Sequence, residues 1–344
     1  DLATTKHIKY FNRFLGVLPS KLESEDSNKL AIIYFTLCGL DLLLPTKSTP
    51  EQKSLHDYVP ATEYIEWIYT HVIETETHYG FRGSSIYEGT GKYDVINLAP
   101  SCFALQILVI LGDDLSRINR AKLMRYVMLC QRTNDDGSFG PFVLNGEITG
   151  DRDARYCMMA CTIRKLIKWG DYPGDDVVGD IDMVLLSKYI KSTVAFDGGM
   201  AMETGGESHA GLTFCGLDSL SLSGYLNEHS DTEFKDTIDF LVHRQLFFGE
   251  ANKAELQEND YADLEDMGGF NGRLNKYADT CYAFWCIGSL CLLGFTELID
   301  KSAVVNFLLN QTQSHLMGGF CKTNDPDELP DPLHSFLGLA ALSL

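Results

Sequence analysis

The chain has 344 residues, 45% of them hydrophobic, with 48 acidic against 28 basic side chains and a formal net charge of -20. So large an acidic excess repels phosphate polymers and excludes nucleic acid as a partner class, while no apolar run approaches the roughly 18 residues of a membrane span, so no stable membrane insertion is expected. Length alone would suit about two domains, but repeat architectures override that prior, and a single domain over residues 1–344 is the expectation.

The chain opens on Asp1-Leu2-Ala3, without the charged-then-apolar pattern of a signal peptide. Ile8, Phe11, Phe14, Leu15 and Leu18 are spaced to predict a first amphipathic helix. A second is predicted behind a capping Thr62, with Tyr64, Ile65, Trp67, Ile68 and Val72 on its apolar side. From there glycine punctuates the chain: Gly80-Phe81-Arg82-Gly83, Asp136-Gly137-Ser138-Phe139, Asp197-Gly198-Gly199-Met200, Met267-Gly268-Gly269-Phe270 and Met317-Gly318-Gly319-Phe320. The spacing, roughly 50 to 70 residues, leaves room for a helix hairpin with its loops between turns. Strand alternation is nearly absent, so the fold class is all-α, and repeated hairpins can bury their faces by closing on one another. The ten cysteines lie mostly in apolar segments and form no C-x-x-C pair, which points to reduced thiols and a cytoplasmic location.

Chemistry concentrates between Gly272 and Trp285, where Arg273, Lys276, Asp279, Cys281 and Tyr282 stand within one short run. Asp279 and Cys281 are two residues apart and cannot share a helix face, where neighbours are three or four apart; they fit a loop-to-helix junction. His334, in Asp331-Pro332-Leu333-His334, lies at another such junction and is the leading third ligand. Three protein ligands with one open position describe a catalytic zinc. On spacing alone, an N-capping Asp279 and a buried small Cys281 account for the pattern equally well. Within so acidic a chain, the basic cluster of His209, Arg273 and Lys276 points to a small anion held in a cleft.

The run Gly272-Arg273-Leu274-Asn275-Lys276-Tyr277-Ala278-Asp279-Thr280-Cys281-Tyr282-Ala283-Phe284-Trp285 resembles the zinc and diphosphate motif of the β subunits of protein prenyltransferases. Glu207-Ser208-His209-Ala210-Gly211-Leu212-Thr213-Phe214-Cys215-Gly216 is similar to a second motif of that family, with Ala210 in place of its first glycine. Asp153-Ala154-Arg155-Tyr156, Gly80 through Ser85 and Leu108 through Arg117 extend the likeness over nearly the whole chain, and it is closest to the geranylgeranyl type I branch. The resemblance implies an α-α toroid, an α6-α6 barrel of helix hairpins with Gly-rich turns at one end and a deep funnel inside.

It further implies that Asp279, Cys281 and His334 hold one Zn²⁺, with the cysteine sulfur of a substrate protein as the fourth ligand. His209, Arg273, Lys276 and Tyr282 match positions that bind the diphosphate, and Arg155 a cationic position lower in the funnel. Phe35, Phe214, Phe284 and Trp285 suit a polyprenyl chain. Lys322 falls where farnesyltransferases carry a Mg²⁺-binding aspartate, so Mg²⁺ is not expected to be required. Ala31 falls where a bulky Trp shortens the channel for a farnesyl chain, so a geranylgeranyl donor fits. Leu333, Asn97 and Ala99 are weaker matches to peptide contacts. The expected reaction is transfer of a geranylgeranyl group from geranylgeranyl diphosphate to the cysteine of a C-terminal CaaX motif, on small GTPases and similar proteins, by an obligate heterodimer with an α subunit. A farnesyltransferase β subunit and a terpene-cyclase-like toroid are the rivals; the cyclase motif D-x-D-D is missing, since Asp180-Ile181-Asp182-Met183 lacks its last carboxylates.

Overall fold

The computed structural model describes residues 1–44, 54–172, 174, 179–228, 233–249, 258 and 262–344. Helices alternate along it: α1 Thr4–Gly16, α2 Lys29–Leu43, α3 Ala61–Tyr69, α4 Leu98–Ile110, α5 Arg120–Leu129, α6 Ala154–Leu166, α7 Met183–Ser192, α8 Ala210–Leu222, α9 Lys235–Val242, α10 Thr280–Leu293, α11 Lys301–Phe307 and α12 Pro332–Ser343. The even-numbered helices pack in order, α2 on α4, α4 on α6, and so on to α12, which returns to α2. They form a closed ring of six. Of the odd-numbered helices, α1, α3, α7 and α9 each pack on the even helix that follows. Sequence dictates the layering. Five of the ring helices are apolar all round, as in Leu98-Ala99-Pro100-Ser101-Cys102-Phe103-Ala104-Leu105, and α6 is the exception with Arg155, Arg164 and Lys165, whereas α1, α3 and α9 carry a single apolar stripe. No described helix is long and apolar enough to cross a membrane.

Four of the glycine motifs make one recurring turn. Gln131 bridges to Phe139, Val194 to Met200, Gln245 to Phe270 and Gln313 to Phe320, and Phe139, Met200, Phe270 and Phe320 are fully buried. In each, a glycine takes positive φ: Gly137 at 85°, Gly198 at 88°, Gly268 at 86° and Gly318 at 78°. Positive φ alone favours glycine, but packing demands it too. A Cβ on Gly137 would meet Leu185 O at 2.7 Å and one on Gly268 would meet Ala303 O at 2.5 Å, each in the first turn of the next odd-numbered helix. Side-chain amides brace the same joints: Gln131 Nε2 donates to Asp182 O and Gln245 Nε2 to Asp300 O, both at 2.9 Å.

The last turn uses this geometry to join the two ends of the chain outside the ring, because Gly318 packs on the backbone of Lys6 in α1. Gly319 N donates to His7 Nδ1 at 2.8 Å, which leaves the hydrogen on Nε2 to reach Gln313 Oε1 at 2.9 Å. The His7 ring also stacks on Phe320 at 5.0 Å. The two ends of the chain thus meet twice, through α12 on α2 and through this turn on α1.

Several sequence expectations need correction. α1 ends at Gly16, so Leu18 lies beyond it. α3 starts behind Pro60, and Thr62 is inside its first turn rather than capping it. Val72 is not helical: strand β1 (Val72–Glu74) pairs with β2 (Tyr79–Phe81), Val72 facing Phe81, so Gly80 belongs to a strand and not to the recurring turn. A second hairpin joins β3 (Phe142–Leu144) to β4 (Glu147–Thr149). Strands of three residues are too short to leave a readable alternation.

Candidate active site

Five of the six ring helices, all but α2, begin at polar side-chain caps. Asn97 Oδ1 accepts from Ala99 N, Asp153 Oδ1 from Arg155 N, His209 Nδ1 from Gly211 N, Asp279 Oδ1 from Cys281 N and Asp331 Oδ1 from His334 N. Such caps satisfy backbone donors that a helix start leaves free. Because the starts of α8, α10 and α12 touch one another, as described next, functional groups in caps and first turns gather at one end of the ring.

At the start of α10 and α12, donor atoms of Asp279, Cys281 and His334 all lie within 4.8 Å of one another. Asp279 and Cys281 are buried, and His334 Nε2 is 3.3 Å from Asp279 Oδ1. The other ring nitrogen of His334, Nδ1, bonds Asp331 Oδ2 at 2.5 Å. Asp331 was not singled out from sequence, though an Asp-Pro helix start three residues before a candidate ligand histidine is a readable signal. A carboxylate on the far nitrogen fixes a ligand histidine's tautomer and raises its basicity. Burial pushes the His334 pKa down, but Asp279 and Asp331 outweigh it and raise it to about 9. Burial, then the neighbouring Asp279, pushes the Cys281 thiol well above its ordinary value, and burial resists but His334 still draws Asp279 down. One oxygen, one sulfur and one imidazole nitrogen, converging and anchored from behind, fit a zinc ion.

The loop from Phe320 to Lys322 is tied to this centre, as Thr280 N donates to Lys322 O at 2.8 Å and Thr280 Oγ1 to Cys321 O at 2.7 Å. Lys322 is exposed, and its ammonium is near enough to stabilise the Cys281 thiolate.

Beside it, His209 joins α8 to α10. Its Nδ1 accepts from Gly211 N at 3.0 Å and Leu212 N at 3.3 Å, so the hydrogen resides on Nε2, which lies 3.0 Å from the Tyr282 hydroxyl. His209 is therefore not a member of a cationic cluster: burial, then Arg273 and Arg155, lowers its pKa, and its capping role requires a neutral ring. With Nε2–H donating to the Tyr282 oxygen, the phenolic proton is free to point elsewhere. Arg273 pairs with Glu207 at 2.9 Å, both side chains substantially exposed. Lys276 is exposed, on the segment whose Gly272 O accepts from Ala210 N at 2.9 Å. Arg155 forms a two-pronged pair with its own cap, Nε to Asp153 Oδ1 at 3.0 Å and Nη2 to Asp153 Oδ2 at 2.6 Å. It stands in the first turn of α6 and, like His209, lines the cavity described next.

Below these groups the ring encloses a cavity of about 650 Å³. Phe35, Phe214, Phe284 and Trp285 line it as expected, with Arg155, His209 and Leu333. Phe103 and Phe336, unassigned from sequence, complete the aromatic wall: Phe336 lies 6.0 Å from Phe35 and Phe103 lies 5.1 Å from Tyr34. Ala31 is half-buried, one turn before Phe35 on α2, and does not line the cavity, since its methyl leaves that wall to Tyr34 and Phe35. Asn97 and Ala99 do not line it either.

The prenyltransferase alpha-alpha toroid domain matches residues 2–344. The geranylgeranyl transferase type-1 subunit beta of Arabidopsis thaliana is 31% identical over 353 residues, covering 98% of this chain and 84% of the relative. That of Dictyostelium discoideum is also 31% identical, covering 98% and 89%. Among solved structures, the Candida albicans protein geranylgeranyltransferase-I complexed with GGPP superposes with a TM-score of 0.87 and 38% identity, covering 100% of this chain and 91% of the other. A ring of six buried helices closed by glycine turns, and this degree of likeness along its full course, mean that the chain belongs to the protein prenyltransferase family with the α-α toroid fold, in company with the geranylgeranyl transferase type-1 β subunits.

Proposed function

We propose that the chain is the catalytic β subunit of a zinc-dependent geranylgeranyltransferase, working with an α subunit in the reducing cytoplasm on proteins that end in a CaaX motif, small GTPases among them. The carrying observation is the convergence of Asp279, Cys281 and His334 beside an aromatic cavity that Leu333, next to His334, and Trp285, one turn after Cys281, help to line. The ten cysteines are all free, in keeping with a reducing compartment. Zinc held by these three residues would supply a substrate thiol deprotonated at neutral pH.

In the reaction a C–S bond replaces the C1–O bond of the donor, diphosphate departs with the bonding electrons, and the thiol proton is lost to solvent. The chain's own residues stabilise the charge that builds on the leaving group. Tyr282, its oxygen already bonded by His209, turns its proton outward to the diphosphate; Arg273 and Lys276 add positive charge. Lys322 takes the place of a metal ion there, so turnover needs no Mg²⁺, and turnover that depended on added Mg²⁺ with zinc present would refute that role. Phe35, Phe214 and Trp285 sheathe the isoprenoid and exclude water, while Leu333 faces the peptide.

The test is transfer by the chain co-expressed with an α subunit. Incubated with geranylgeranyl diphosphate and a peptide ending in Cys-a-a-Leu, it should add the C20 group as a thioether, visible as a mass gain, and prefer it over the C15 donor. Release of a cyclised hydrocarbon with no peptide product would favour a cyclase and defeat the proposal.

A further inference from the structure

Three polar residues line the cavity far along their helices from the caps. Gln106 on α4, Thr162 on α6 and Asp218 on α8 all line it, each eight residues past the first residue of its helix (98 to 106, 154 to 162, 210 to 218), and these three helices are neighbours in the ring. They therefore stand at one level. At a rise of about 1.5 Å per residue, Asp218 lies about 13 Å below His209. Gln106 is held, its Nε2 donating to the Tyr34 hydroxyl at 3.3 Å. Asp218 is different: burial raises its pKa, and among the described residues no hydrogen-bond donor or cation offsets that burial. The titratable groups that feel its charge are the thiols of Cys102 on α4, Cys161 on α6 and Cys215 on α8, which burial keeps protonated. No step assigned above uses this carboxyl.

We propose that Asp218 is a specificity-determining residue for the prenyl chain: with Gln106 and Thr162 it forms a polar floor that stops an isoprenoid entering from His209. The inference rests on the reading of the cavity as the donor site. An apolar chain whose far units reach this floor displaces the water that solvates a carboxylate, and an unpaired charge against hydrocarbon is costly. Asp218 must therefore be protonated when a long chain is bound. Its pKa already stands at about 6 through burial, and occupancy raises it further. The sign follows from linkage: a state that binds the proton more tightly is favoured at low pH, so long-chain affinity is full below about pH 6 and falls about tenfold per pH unit above it, until the bound form also ionises. A C10 chain stops short of the floor and escapes the penalty.

The experiment measures dissociation constants of the C10, C20 and C25 diphosphates for the full chain co-expressed with an α subunit, between about pH 5.5 and 8. The ratio of C20 to C10 affinity cancels the ionisation of the shared headgroup. In the wild type this ratio should fall with rising pH; in Asp218→Asn, nearly isosteric and unable to ionise, it should be flat. Asp218→Ala should also give a flat ratio and should improve C25 binding relative to C20 by about tenfold, because the floor is gone. A flat wild-type ratio, a pH slope that survives in Asp218→Asn, or a C25 preference unmoved in Asp218→Ala would overturn the assignment. Failure of every donor to bind would instead defeat the donor-site reading, and the role of Asp218 with it.

Discussion

His334 is clamped between two carboxylates, Nδ1 bonded to Asp331 Oδ2 at 2.5 Å while Nε2 faces Asp279 at 3.3 Å. Only Nε2 is left to bind a metal, and Asp331 sets its basicity. Asp331→Asn keeps a cap oxygen for His334 N but removes the charge behind the ring, so zinc affinity should drop by about tenfold or more. Titration of the metal-stripped protein with zinc against a competing chelator measures it. Zinc must also displace protons from His334, held near 9, and from the Cys281 thiol, pushed well above its ordinary range. Wild-type affinity should consequently rise with pH through neutrality, and an affinity that fell with pH would contradict the ligand set.

The bond between His209 and Tyr282 makes a second claim testable. Tyr282→Phe removes a hydroxyl whose proton is free for the diphosphate but leaves the ring that packs at 5.5 Å from His209. Its effect should fall on kcat, on the order of a hundredfold, with little change in donor affinity, as expected of a donor that acts on charge developing in the transition state. An increase in KM with kcat intact would make Tyr282 a ground-state contact only.

Ala31 stands one turn before Phe35, outside the cavity wall. An indole at that position would reach past the helix surface into the space beside Phe35. Ala31→Trp should therefore lower the ratio of kcat/KM for the C20 donor to that for the C15 donor, each extra buried CH₂ being worth about 0.8 kcal/mol until a clash cancels it. An unchanged ratio would leave chain length to the rest of the cavity.

The glycine turns give a stability prediction with an internal control. Gly205→Ala adds a methyl at a φ of 81° with open space around it, whereas Gly268→Ala adds one at 86° against Ala303 O. Both incur the left-handed backbone cost of roughly 1–2 kcal/mol, but only Gly268→Ala also forces the turn away from α11. Thermal unfolding should show Gly268→Ala as clearly the less stable of the two. Equal melting temperatures would mean that the turn yields without cost.

Much of this was legible in the sequence because its constraints are local. The ligand triple and Tyr282 lie in or beside helix caps, where short polar side chains have a recognisable place, and the glycines of the turns announce positive φ. The meeting of the chain's two ends was not legible, since it pairs α12 with α2, Gly318 with Lys6 and Gln313 with His7 across the whole sequence. The neutral state of His209 also escaped, because only the fold shows its Nδ1 accepting two backbone donors. Asp218 was invisible for a similar reason: one carboxylate in an apolar helix reads the same whether it faces water or a cavity floor.

The most direct test of the account is the zinc content of the chain, purified with an α subunit, alongside its Cys281→Ala variant, each assayed for transfer of the C20 group to a Cys-a-a-Leu peptide. The wild type should carry one zinc per chain and transfer the group, and Cys281→Ala should lose both metal and activity while keeping its helical content. A folded Cys281→Ala protein that retained full zinc occupancy and wild-type turnover would show that Asp279, Cys281 and His334 are not the metal centre of the reaction.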